Sequence, residues 1–359
     1  LLRSIGDGLP LHRWLQEEIW PREGRMNDDD VYWGMLLGCE ELLRCGVTTS
    51  CEMYLHGRVV AEAVLEAGIR CVLTPGVFDL PPVMTWQDGL EDVGRLHADF
   101  DGRQGRLTVG VGPHGAYTLP VEGLVAAARM ARELDALVHI HLAETAGEDK
   151  EIRAVHGCTA PQLLARLGVL DCRVLAAHSV WLSDADLALY EEYDVAVAHC
   201  PQSNGKLGSG VARVAVMVAR GLRVGLGTDG PASNDNLDLW EEVRLAPLLA
   251  RATAADPLAL TGTDALHMAT LGGSDALGLD VGMLEPGRAA DFIRLDLADF
   301  VPASDGEELL SHLVWASSSR SVTDVWVAGR QVVSGGVCTT IDAAEARRQV
   351  AGRARRLRG

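Results

Sequence analysis

The stretch GLGTDGPASND, from Gly225 to Asp235, admits two structures. Gly225, Gly227 and Gly230 spell G-x-G-x-x-G, the spacing that lets a backbone approach a dinucleotide pyrophosphate where a helix begins. Alternatively, the stretch is a strand that ends by delivering the Asp229 carboxylate. The surrounding chain decides between them.

From about residue 46 to 255, short β-branched or apolar runs ending in polar residues alternate with stretches of helical periodicity. The runs are GVTTSCEM (46–53), RCVLTPGV (70–77), LTVGVGPH (107–114), LVHIHLAE (137–144), RVLAAHSV (173–180), VAVAHCPQ (195–202) and RVGLGTDG (223–230). Between them, segments such as VEGLVAAARMARELDA and SDADLALYEEYD space their apolar residues at helical intervals. This alternation predicts parallel strands covered by helices. Successive strand residues face opposite ways, so Thr108, Gly110, Gly112 and His114 share one face, as do Gly225, Gly227 and Asp229. Small or polar residues thus line one side, and Val109, Val111, Val224 and Leu226 the other, the pattern of a barrel strand with an apolar helix-facing side.

A dinucleotide fold carries its glycine motif on the first strand and, after the helix, a further strand with an acid for the ribose. Here the motif lies on the last strand, and Asp229 within it would thrust a charge at the pyrophosphate. The glycines are therefore expected to be small inward residues leaving room for a ligand. The expected fold is α/β, a (β/α)8 TIM-like barrel. Seven strand units are countable; the eighth, the first strand, is expected upstream of a chain that opens on Leu1 rather than on methionine. The barrel is expected over 1–275. A small β-sandwich element over 276–341 contains GMLEPGRAADFIRLDL and SVTDVWVAGRQVVSGG, and an arginine-rich solvated helix or tail closes the chain over 342–359.

Of 359 residues 48% are hydrophobic and 23% charged, enough to bury a large core without staples. The formal net charge of -18 opposes phosphate backbones and anionic lipid, so neither nucleic acid nor membrane is an expected partner. The eight cysteines show neither a C-x-x-C pair nor the density of a secreted disulfide framework. With no apolar run of membrane-spanning length and no signal-peptide pattern, a soluble protein of the reducing cytoplasm is expected.

Five consecutive strands each place a titratable residue near the C-terminal end: His114, His141, His178, His199 and Asp229. That is the face on which barrel enzymes assemble their sites. His139 and His141 share a strand face, and Glu144 follows where a loop can turn it inward. Imidazoles and a carboxylate at a barrel mouth suit Zn²⁺ or a similar divalent ion, with Fe and Mn as alternatives and one position left to water.

With these residues in view, the chain resembles the amidohydrolase superfamily, and within it the 5-methylthioadenosine/S-adenosylhomocysteine deaminase branch that also holds triazine hydrolases. The resemblance rests on GLPLHRWLQEEIWPRE, GVTTSCEMY, VGVGPHGAYT, HIHLAET, AAHSVWL, AHCPQSNGKLGSGVA, LGTDGPASNDNLDLWEEVRLA and MLEPGRAADF. It implies that His141 and Asp229 bind one divalent metal ion, that Asp229 is also the base, and that His178 binds the metal or orients its water. It further implies that Glu144 passes a proton to a ring nitrogen, that Glu23 grips ribose hydroxyls, and that His114 contacts substrate. Ser233 and Asn234 would support the site, Ser233 beside the substrate, and His199 would lie outside the metal's immediate shell. Three features depart from the pattern: the first-strand H-x-H pair lies outside this chain, Pro75 stands where an arginine for a substrate carboxylate is common, and Gly205 and Arg213 replace an apolar residue and a proline.

The resemblance implies a hydrolase of non-peptide C–N bonds: a metal-dependent aminohydrolase that attacks an adenosine-type or related amino-heterocycle with metal-activated hydroxide and releases ammonia. Two alternatives stay open, a triazine-type hydrolase releasing halide or amine, and a metal-poor barrel without catalysis. The acidic surface favours a neutral or cationic small molecule over a phosphorylated one, and a homo-oligomer is compatible with everything above.

Overall fold

The computed structural model describes residues 1–81, 84–298, 300 and 302–359. Each of the seven runs forms a strand: β1 Thr49–Glu52, β2 Arg70–Leu73 continued by β3 Gly76–Val77, β4 Leu107–Val109 continued by β5 Gly112–Pro113, β6 Val138–Leu142, β7 Val174–His178, β8 Ala196–His199 and β9 Val224–Leu226. Every pairing among them is parallel, in the order β1-β2-β4 and β6-β7-β8-β9, with bridges from Val111 to Val138 and Gly115 to His141 joining the two groups. Neighbours in the sheet are neighbours in the chain throughout. A doubly wound sheet reverses its order at a switch point; this one never does, and the strands curve into a barrel. The helix Leu239–Ala254 after β9 lies beside the helix Asp28–Arg44 before β1: Leu237 N donates to Glu41 Oε1 at 3.0 Å and Trp240 Nε1 to the Cys45 carbonyl at 3.0 Å.

The strand phase follows the alternation. Val109, Val111 and Val224 are buried among helix residues such as Val60, Leu124 and Val243. Helix ends coincide with sequence caps: Asn27, Thr159, Ser183 and Thr261 each accept from the amide three residues on, and the side chain at that position returns a bond to the cap's own amide.

The inward glycines need a correction. The helix Leu271–Leu277 plugs the barrel floor, packing Ala276 against Val72, Leu137, Leu175 and Ala196. A Cβ on Gly225 would come within 2.9 Å of the Gly273 Cα, so Gly225 is small for this helix, not for a ligand. Gly230, by contrast, has open space around its missing Cβ.

The expected small β element is a four-stranded antiparallel sheet, β10 Phe292–Leu295, β11 Val322–Val327, β12 Arg330–Ser334 and β13 Val337–Cys338 in that order. Its buried valines join the core formed by Val31, Leu43 and Val60. A bidentate pair ties it to the barrel: Arg70 Nε and Nη2 donate to the Asp291 carboxylate at 2.6 and 2.9 Å, and both side chains are nearly shut off from solvent. The arginine-rich helix Ala343–Arg358 does not stand free in solvent as expected. Buried Glu40 and Asp30 need cations; Arg347 meets Glu40 at 3.0 Å, Arg353 and Arg356 meet Asp30, and Leu357 is fully buried. All eight cysteines are free thiols, seven of them buried. No described helix is long and apolar enough to cross a membrane.

Candidate active site

The C-terminal ends of the strands open into a cavity of about 900 Å³. It is lined by His114, His139, His141, Glu144, His178 and Asp229, and on the facing side by Glu23, Trp14 and Trp20 of the N-terminal segment. The residues singled out in the sequence, scattered from Glu23 to Ser233, meet in this one space, Ser233 among them. His199 is buried outside the lining, and its Nδ1 has no partner.

The imidazoles stand in a row, with ring centroids 4.7 Å apart for His114 and His141 and 5.5 Å for His141 and His178, the latter pair stacked. Hydrogen bonds at the far nitrogen fix their tautomers. His141 Nδ1 donates to the His114 carbonyl at 2.7 Å and His178 Nδ1 to Asn204 Oδ1 at 2.8 Å, so each ring, when neutral, presents its Nε2 lone pair. His139 Nδ1 lies 3.0 Å from the Thr74 hydroxyl, which spends its own hydrogen on the Glu52 carbonyl. His114 does the same with Thr118 at 3.1 Å. Burial, reinforced by neighbouring imidazoles, lowers His114 and His139 to about 3, so both are neutral. His141 is lowered for the same reasons. For His178 burial is outweighed by the carboxylates of Glu144 and Asp229 and the bond to Asn204, and its pKa is raised.

The two acids arrive on tight turns. Asp229 takes φ +59°, which lifts its side chain off the strand direction into the mouth. Its Oδ2 accepts from the Ser203 and Ser233 hydroxyls, each at 2.7 Å, and Oδ1 from the Gly230 amide at 2.7 Å. Burial acts to raise it, but His178, His141 and the two hydroxyls prevail and hold the carboxyl below its ordinary value. Buried Glu144 follows Ala143, at φ +53°; its Oε1 accepts from Ser209 at 3.3 Å and its Oε2 lies 3.8 Å from His178 Nε2. Glu23 sits apart from this group, its Oε1 accepting from the Tyr54 hydroxyl at 2.9 Å; burial raises its pKa, opposed by that bond.

Several contributors were not singled out in the sequence. Ser203 and Asn204 lie inside the quoted CPQSNGKLGSG, and Tyr54 inside GVTTSCEMY, so a signal existed. Glu242 also lies inside a quoted stretch, LGTDGPASNDNLDLWEEVRLA, but as the fourth residue of a helix it reads as a surface acid; buried, it accepts from the Gln202 amide and from Asn234 Nδ2, which also donates to the Thr228 carbonyl. It thereby links the turn carrying Ser203 to the turn carrying Asp229.

Among the described residues no three His, Cys, Asp or Glu side chains stand close enough together to hold a metal ion as placed. The donor chemistry nonetheless fits a divalent ion. His141 and His178 offer Nε2 lone pairs with the opposite nitrogens tied down, and Asp229 offers a carboxylate below its ordinary pKa in the same cavity.

A parallel barrel with acids and imidazoles converging at its C-terminal mouth defines a hydrolase-type site, and comparison with known proteins specifies it. The chain belongs to the amidohydrolase family, whose pattern matches residues 1–332. It is 43% identical to a 5-methylthioadenosine/S-adenosylhomocysteine deaminase of Moorella thermoacetica over 98% of this chain and 82% of that one. It is 42% identical to a 5'-deoxyadenosine deaminase of Methanothermobacter thermautotrophicus over 94% of this chain and 79% of that one. Among solved structures, an adenosine deaminase of Xanthomonas campestris with bound zinc superposes with a TM-score of 0.94 at 34% identity, covering 99% of this chain and 82% of that one.

Proposed function

We propose that the chain is a metal-dependent aminohydrolase that replaces the ring amine of an adenosine-type nucleoside with oxygen and releases ammonia. The observation that carries this reading is the convergence of two Nε2 lone pairs, a hydrogen-bonded Asp229 and a buried Glu144 on one cavity. Names of relatives agree with it. Glu23, Glu52, Asp79 and Asp229 are among the residues lining the cavity, which favours a neutral or cationic substrate over a phosphorylated one.

His141, His178 and Asp229 would hold the cation, Zn²⁺ first; when bound, it brings the pKa of water towards neutrality. Asp229, oriented by Ser203, Ser233 and the Gly230 amide, accepts a proton from the attacking water. His178, its far nitrogen anchored on Asn204, orients that water. Glu144 is the proton donor to the ring nitrogen beside the amine-bearing carbon, relieving the charge that attack pushes into the ring. The proton on Asp229 then passes to the departing amine, ammonia leaves as the ring carbonyl forms, and the hydroxyl hydrogen released in that step restores the proton Glu144 gave up. Glu23, steadied at one oxygen by Tyr54, keeps the other for ribose hydroxyls, while His114 contacts the substrate.

The test supplies the Zn²⁺-loaded protein with 5'-methylthioadenosine, 5'-deoxyadenosine, S-adenosylhomocysteine and a chlorotriazine, following ammonia and chloride. Ammonia from an adenosine compound supports the reading. Chloride without ammonia would replace it with triazine hydrolysis, and no turnover with less than about a tenth of an equivalent of bound metal would indicate a non-catalytic barrel.

A further inference from the structure

Glu148 is buried behind the catalytic turn, and nothing above gives it work. It occupies the third position of the helix Ala146–His156, whose cap Thr145 accepts from the Glu148 amide at 3.1 Å. In four other helices the acid or amide at this position bonds back to the amide of its own cap, closing a reciprocal box. Glu148 does not. Its Oε1 accepts from the Ala143 amide at 3.0 Å and its Oε2 from the Glu144 amide at 2.7 Å, two and one residues upstream of the cap respectively. Both amides lie in the turn where Ala143 enters the left-handed region, and without Glu148 two buried N–H groups would lack partners. On the opposite side, the Ala143 carbonyl accepts from the Val180 and Trp181 amides at 2.9 and 2.8 Å, tying the turn to the strand end that bears His178.

We propose that Glu148 is a positioning residue: by gripping both amides of the 143–144 turn, its carboxylate sets the direction in which Glu144 enters the cavity and keeps Glu144 within reach of the substrate ring. A cap serving only the helix would have used the Thr145 amide, as the other four do. The chosen partners are instead the residue that donates the proton and the strained residue before it. This inference rests on the deaminase reading above.

The experiment is a double-mutant cycle in the Zn²⁺-loaded protein with 5'-methylthioadenosine. Glu148→Gln keeps the shape but sets an NH2 group against one of the two amides. A misplacement of about 1 Å at a proton donor can cost on the order of 100-fold, so Glu148→Gln is expected to lower kcat by about 10–100-fold, with KM within about threefold and zinc content and melting temperature near wild type. In a Glu144→Gln background, the same change is expected to cost less than about threefold, because residues acting as a unit are not additive. Unchanged kcat in Glu148→Gln, an undiminished further loss in the Glu144→Gln background, or loss of zinc would overturn the proposal. Should Glu148→Gln fail to fold, Glu148→Met is put through the same cycle under the same criteria. Wild-type protein without ammonia release would remove the deaminase reading, and this inference with it, whereas active wild type with an equally active Glu148→Gln variant removes only the inference.

Discussion

Asn204→Ala tests whether the tautomer of His178 matters to the chemistry. Asn204 is buried, and its Oδ1 holds the Nδ1 hydrogen of His178 at 2.8 Å, so the ring presents Nε2 as a lone pair beside Glu144. Without that acceptor a buried N–H loses its partner, at a cost of about 1–3 kcal/mol. The ring recovers this by moving its hydrogen to Nε2, which blocks the nitrogen the site needs. A bias of that size is a factor of about 5–150, in line with the 10–100-fold losses that follow removal of such outer partners. Steady-state ammonia release should therefore show kcat/KM down about 10–100-fold, with melting temperature and circular dichroism preserved. Asn204→Asp, which keeps an acceptor, should stay within about tenfold of wild type. An Asn204→Ala protein within twofold of wild type and fully loaded with zinc would refute the reasoning.

Ser203→Ala combined with Ser233→Ala removes both hydroxyls from Asp229 Oδ2, each bond to a charged group being worth about 1.5–3 kcal/mol. The pKa of Asp229, now held low, should rise, so the acid limb of the kcat/KM–pH profile should move to higher pH. Asp291→Ala strands the Arg70 guanidinium and the Ala328 amide at the junction of barrel and sheet. A broken buried pair costs about 3–5 kcal/mol. At about 2.1 cal/mol/K per residue, a chain of this size loses about 1.3 °C per kcal/mol, so calorimetry should record a fall of about 4–7 °C. Burial pushes Glu242 up to about 8, and a carboxyl raised on folding contributes stability at low pH that is lost as pH rises. Between pH of about 4.5 and 8 its share should decline by up to about 1.4 kcal/mol per pH unit; Glu242→Gln should flatten that part of the melting-temperature profile, and an unaltered slope would contradict the assignment.

Barrel strands were legible because each is a run of alternating residues that must satisfy an outer helix layer, and the phase of Val109, Val111 and Val224 carried that requirement in plain view. His141, His178 and Asp229 were legible because strand-end positions leave few directions for a side chain to take. Less could be seen where a partner lies far along the chain. Gly273 beneath Gly225, or Asp30 and Glu40 beneath Arg356 and Arg347, are pairings that no local period encodes, so a packing glycine resembled a ligand-facing one and a docked helix resembled a solvated one. Glu148 and Glu242 were hidden differently. Acids at helical spacing are ordinary on a surface, and only their burial against groups outside their own helices distinguishes them.

The plug beneath the barrel gives remote residues a hold on the chemistry. A Cβ added at Gly225 would meet the Gly273 Cα at 2.9 Å, so either the plug or the strand that leads to Asp229 would have to shift. Substitutions far from any substrate could in this way slow turnover, and a search for activity variants confined to the mouth would miss them.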